Sequence, residues 1–332
     1  MNPELNPEVA AALPALVEAG VIAPQQAALA GRIARRELVS VRAELRTALY
    51  LGVLLFLAGV SLLAKENFER IGPFGIACGL TLAATGALFW VVRRGPAFSW
   101  GVEESPHLAF DYILLLGVLL VGADLAYVEW QFTPLGAQWS WHLFFMALFT
   151  GAMAVRYDSR VLWSLALSTF AAWRGLAVTA RAATTVLFGE ASVAVRWNAL
   201  VCGLAFVALG ALAKRFDRKA HFEPVATYLG WLLVLGGLVG GSAGESFGDS
   251  GAVIAWSFAL LVVGAGLAVW TLRQRRFWLF ALGVVGGYIG LSVLVLRGLG
   301  AEFGCFWFWS TSTALLVLLL VVYLRLGKGV EA

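Results

Sequence analysis

The chain has 332 residues, of which 61% are hydrophobic and only 13% charged, with a formal net charge of +4. A mean hydropathy of +0.84 excludes a soluble globular domain of this length and places the chain in lipid. So small a positive balance does not point to a nucleic-acid partner, and none is expected; the information lies in where the cations fall along the chain.

The first 46 residues read as a cytosolic helical hairpin. Leu13, Leu16 and Val17 recur at helical spacing, Gly20 is placed to end that helix, and Pro24 suits the first turn of a second. A further helical turn through Val41 to Arg46 is expected to run straight into the first apolar span. A piece this short cannot bury a core of its own, so it either packs on the membrane domain or docks a protein partner. Arg32, Arg35, Arg36, Arg42 and Arg46 stand against Glu37 and Glu44, enough to lie on anionic lipid headgroups at about 1 kcal/mol per cation. The first apolar span opens only at Thr47, so it is read as its own insertion signal rather than a cleaved leader.

A bilayer core needs about 20 apolar residues per crossing helix, and residues 47–332 offer ten such stretches. They cover 47–64, 72–92, 109–130, 139–155, 161–178, 197–213, 222–241, 252–272, 277–296 and 305–324. Threaded with the amino terminus inside, they put eighteen of the 24 Lys and Arg residues on the cytosolic face and five on the other, with Arg174 inside a span. That asymmetry is the positive-inside pattern. The fold expected is an all-α polytopic transmembrane bundle of about ten spans with both ends of the sequence in the cytosol. Residues 179–196 are interrupted by Arg181 and Glu190 and are read as an interfacial or re-entrant segment. Trp90, Trp100, Trp130, Trp139 and Trp197 fall near span ends, where an amphipathic ring anchors. Cys78, Cys202 and Cys305 show no CxxC spacing and read as small apolar side chains.

Ionisable groups within spans are the best lead to function, because each costs ~2.5–3.5 kcal/mol on insertion scales. Asp124 lies about 22 Å along the third span and Arg174 about 20 Å along the fifth, both running outward, so their depths match and they could pair, either as a structural ion pair or as a ligand or proton site. Asp111 is a third such group. His107 and Asp111, at i and i+4, together with His221 and Glu223 form a cytosolic-face set with generic spacing, and no HExxH or similar metal signature accompanies them. Glu129 and His142 lie near the outer face and rank lower. No cofactor motif, phosphate loop or Ser/His/Asp arrangement is present, so neither a cofactor nor an enzymatic role is expected.

Repetition and small residues shape the rest. Residues 151–160 read GAMAVRYDSR and residues 210–219 read GALAKRFDRK, with echoes in GALFWVVRR at 86–94 and GLAVWTLRQRR at 266–276. The implied unit is a two-helix hairpin turning on the cytosolic side. Overlapping GxxxG pairs at Gly236 and Gly240, Gly237 and Gly241, Gly283 and Gly287, and Gly286 and Gly290 mark close helix packing.

Residues 111–119 read DYILLLGVL and match a DYxxLxGxL signature, with Phe110 where proteins of that group carry Gly. With EAGVIAPQQA in the first hairpin, GADLAY around Asp124 and RYDSRVLWSLAL beyond, residues 8–178 resemble the bacterial membrane-protein family called domain of unknown function 2157. The resemblance implies a multi-pass protein of the bacterial inner membrane with a short cytosolic helical start, and it implies no activity. Repeats, Gly-rich helices and buried charges favour a small-molecule or proton-coupled carrier. A membrane scaffold or regulatory subunit docking a partner through residues 1–46 is the alternative, and a membrane-embedded enzyme comes third.

Overall fold

The computed structural model describes residues 7–20, 23–34, 42–66, 68–101, 108–176, 193–243, 250–299 and 301–328. His107 and residues 179–192 therefore lie outside the described residues. Among those described there is no strand, and the chain divides into two units, Met1–Asn67 with Gly327–Ala332, and Phe68–Leu326.

The first unit holds α1 (Pro7–Glu18), α2 (Pro24–Ala34) and α3 (Arg42–Glu66). Its first turn follows from local chemistry. Gly20 takes φ +69°, a conformation that only glycine adopts freely, and its N–H closes on the Val17 carbonyl at 3.0 Å. Pro24 then opens α2, and Gln26 Oε1 accepts the Ala23 N–H at 3.0 Å, satisfying a donor that the new helix leaves open. The two helices pack on each other, with Leu13 buried. α3 runs unbroken from the basic turn at Arg42 through the apolar stretch that begins at Thr47.

The second unit is a series of antiparallel helix pairs. α4 (Phe68–Arg94) packs on α5 (Leu108–Phe132), α6 (Trp141–Tyr157) on α7 (Arg160–Ala171), α8 (Val193–Arg215) on α9 (Glu223–Ala243), and α10 (Ser250–Arg273) on α11 (Phe277–Leu299). α12 (Ala301–Lys328) follows, and the Tyr288 hydroxyl on α11 lies 2.7 Å from Ser312 Oγ and 3.0 Å from Thr311 Oγ1 on it. Each of the four pairs turns at its Arg-rich end. Asp158 ends α6 in the left-handed conformation at φ 56°, and Ser159 at once caps α7 by accepting the Leu162 N–H at 3.3 Å. Asp217, which occupies the matching place in the repeat, has φ 50°, and Arg275 at the next such turn has φ 54°.

Among the described residues six stretches are long and apolar enough to cross a bilayer: Ile71–Arg94, Ala109–Phe132, Ala194–Arg215, Ala220–Ser242, Gly251–Arg273 and Phe277–Gly298. The other expected spans fall on helices too, with shorter apolar runs among the described residues. α3 and α12 carry Thr47–Phe56 and Phe306–Leu319, α6 has 17 residues, and α7 has 12 before passing into a π-turn at Ala172–Leu176. Large side chains such as Phe74 and Leu82, 73% and 72% exposed, have no reason to face water and are lipid contacts.

Lipid supplies no hydrophobic drive between helices, so close packing holds them. A Cβ on Gly203 of α8 would stand 2.6 Å from the Gly230 carbonyl oxygen of α9, and one on Gly230 would stand 2.7 Å from the Gly203 oxygen. The two backbones touch there. α10 and α11 meet in the same way, where a Cβ on Gly283 would lie 2.8 Å from both Ala268 N and Gly264 O. Gly287 faces Gly264 and Ala265 on that seam, whereas a Cβ on Gly236 would meet nothing within 4 Å. On α9 the contacts fall one residue later, at Gly237 against α8 and Gly241 against Trp256 of α10, while Gly240 is buried.

Candidate functional site

At the Arg-rich end the turns between helices are tied together by charge. Lys219, in the α8–α9 turn, places Nζ 2.7 Å from Asp158 Oδ1 in the α6–α7 turn, and His221 Nε2 lies 3.2 Å from the same oxygen. All three side chains are at most 6% exposed. Lys219 also donates from Nζ to the Gly101 carbonyl at 3.3 Å and from its backbone N–H to the Trp100 carbonyl at 3.2 Å, which draws in the segment after α4. Its ammonium sits 5.3 Å from the Phe98 ring centroid, and Arg218 covers Trp100 at 4.9 Å. Beneath the clasp, Phe110 at the start of α5 meets Tyr157 at the end of α6, ring centroids 5.5 Å apart.

A second pair extends the belt. Arg276, in the α10–α11 turn, donates from both terminal nitrogens to Glu223, at 2.7 and 2.9 Å, and Thr227 donates to the same carboxylate at 3.2 Å. The hydrogen bond to Glu223 raises the Arg276 guanidinium above its ordinary value, so it stays charged throughout.

The opposite ends of α5 and α6 are joined by the connection 133–140 and bridged by Glu129 and His142. Between them lies a cleft of about 360 Å³, lined by Gly122, Leu125, Ala126, Glu129 and Trp130 on one side and by Trp139, His142, Leu143 and Met146 on the other. Its one polar feature is a pair: Glu129 Oε2 lies 2.8 Å from His142 Nε2 and accepts the Leu135 N–H at 3.1 Å. Glu129 thus also pins the connecting loop, in which Thr133 and Gly136 take positive φ. Glu129 is 12% exposed and His142 20%, while Trp130 and Trp139 stand open on the rim.

The residues singled out in the sequence scatter. Asp124 and Arg174 do not pair: Asp124 Oδ2 accepts from Thr81 of α4 at 2.7 Å, and Arg174 donates to Asn198 Oδ1 of α8 at 2.7 Å. Arg174 lies in the π-helical turn Ala172–Leu176 that continues α7. α7 ends at Ala171, and the π-turn closed by Gly175 at φ 80° carries Arg174 out over Trp173, 5.6 Å from the ring centroid. Asp124 Oδ1 is buried with no hydrogen-bond partner among the described residues. Asp111 lies half-buried in the first turn of α5 and is engaged by surrounding protein. His221 and Glu223 are neighbours in sequence with separate partners, Asp158 and Arg276. Among the described residues no three His, Cys, Asp or Glu side chains gather as a metal site. Because Asp124 and Arg174 bond to different helices, Asp124→Asn and Arg174→Gln are expected to add in thermal unfolding in detergent to within about 0.5 kcal/mol. A larger coupling in the double mutant would restore the pair.

Glu129 and His142 ranked low in the sequence although they carry the one polar contact of the cleft. The available signal was a Glu before and a His after a short connection flanked by Trp130, Trp139 and Trp141.

The helices and the lipid-facing surface define an all-helical, multi-pass membrane protein. Residues 14–163 match the family described as "Predicted membrane protein (DUF2157)", so the resemblance read around Asp111 and Asp124 is to that family over this stretch. No curated protein and no solved structure matches the chain.

Proposed function

We propose that the protein is a carrier for a small molecule, seen with its cleft open to the outside and closed to the cytosol. One observation carries this reading: α5 and α6 flank the cleft at one end and meet at the other through Phe110 and Tyr157, next to the Asp158–Lys219 clasp that ties the α6–α7 turn to the α8–α9 turn. A site reached from one side and sealed on the other by a breakable polar contact is the arrangement that alternating access requires. The charge count supports the orientation, with the Arg-rich end in the cytosol. In this reading α3, α6, α7 and α12 complete ten crossings, and the membrane is a bacterial inner membrane.

Accessibility tests the proposal. With Cys78, Cys202 and Cys305 replaced by Ser, a cysteine placed at Met146 should react with a membrane-impermeant thiol reagent added outside intact cells and not with reagent added to inverted vesicles. Asp158→Asn should raise the reaction in inverted vesicles several-fold. Protection from both sides, with and without Asp158→Asn, would end the carrier reading.

A further inference from the structure

The chemistry of the cleft narrows what enters it. The volume of about 360 Å³ corresponds to about a dozen water-sized groups, and it falls at the small end of ligand sites. Two acyl chains do not fit. The walls are apolar, made by Leu125, Ala126, Leu143 and Met146, and two exposed indoles stand at the mouth. Among the described residues no Lys or Arg lines the cleft, and the Glu129 carboxylate faces the His142 imidazole and the Leu135 N–H. A carboxylate without a fixed counter-cation, beside open indole faces, repels anions and attracts a poorly hydrated cation.

We infer that the α5–α6 cleft is a binding site for a small lipophilic cation, a quaternary or protonated amine bearing a short apolar chain. Its cationic head sits against Glu129 and the Trp130 and Trp139 rings, and its chain lies along Leu125, Leu143 and Met146. This names the substrate class of the carrier proposed above and rests on that reading for transport, while binding itself does not depend on it.

The probe is radiolabelled octyltrimethylammonium, measured by equilibrium dialysis against the full-length protein in nanodiscs, with empty nanodiscs subtracted. Saturable binding is expected, with octanesulfonate failing to compete. Glu129→Gln should weaken binding at least about tenfold, and Trp139→Leu should weaken it several-fold. Because Glu129 also pins a loop, a second variant keeps the carboxylate: Met146→Trp, which fills the cleft from α6, should abolish binding while the protein elutes and melts as the parent does. No saturable binding, equal competition by octanesulfonate, or unchanged affinity in Met146→Trp would overturn the inference. Saturable binding by a protein that fails the two-sided cysteine test would keep the site and discard the carrier. Two-sided access without cation binding would do the reverse.

Discussion

Asp158→Asn is expected to destabilise the protein by about 3 kcal/mol, near the lower end of the range for breaking a buried ion pair. Asparagine keeps the size of the side chain and tolerates the left-handed backbone that Asp158 adopts, so the change isolates the charge. It leaves the Lys219 ammonium almost wholly buried, with the Gly101 carbonyl and the Phe98 ring still in place. Those contacts offset part of the loss, which is why the lower end is expected. Replacing Lys219 by Met as well removes the stranded charge, so the double variant should recover most of the stability. Denaturant unfolding in micelles measures both, and a loss below about 1 kcal/mol for Asp158→Asn would show that solvent reaches the clasp.

Gly203→Leu should abolish folded protein, and Gly203→Ala should cost about 1–3 kcal/mol. The obstacle is the backbone of α9, since the nearest atoms to an added Cβ are Gly230 O at 2.6 Å, Val234 Cγ2 at 2.8 Å and Val234 N at 2.9 Å. Backbone cannot swing aside as a flexible side chain does, so the helices must separate and lose contact along their length. Gly236→Ala supplies the control: an added Cβ there meets nothing within 4 Å, and the change should lie within about 1 kcal/mol of the parent. Equal effects at the two glycines, read by size-exclusion recovery and thermal melting, would remove the close approach from the account of stability.

The features legible in the sequence were local or compositional. Gly20 and Pro24 announce their turn because one permits positive φ and the other has its φ already set. The apolar stretches announce their helices because lipid demands that the backbone bond to itself. The likeness between residues 151–160 and 210–219 pointed to repeated turns, and Asp158 and Asp217 both adopt the left-handed conformation. What failed was azimuth. Equal depth suggested that Asp124 would meet Arg174, but depth says nothing of which way a side chain faces round its helix. α5 turns Asp124 toward Thr81, and the π-turn lifts Arg174 away toward Asn198. The GxxxG pattern on α9 suffered the same one-residue ambiguity, because overlapping pairs at 236/240 and 237/241 offer two faces and sequence does not choose between them. The cleft was hidden for a different reason. Its lining comes from two helices and the connection between them, and a hollow shared in that way leaves no periodic signal in either helix.

The turn at Asp158 and Ser159 also bears on how the chain enters the membrane. Two residues between helices leave no loop to wait outside the bilayer while the second helix is made. At 1.5 Å per residue the 17 residues of α6 reach about 25 Å, and the 12 of α7 reach about 18 Å before the π-helical turn Ala172–Leu176 continues them, against a ~30 Å hydrocarbon core. If α6 and α7 cross the membrane as proposed, they are expected to partition from the translocation channel as a single folded-over unit. In the orientation proposed above, Arg156 and Arg160 beside the bend hold it on the cytosolic side.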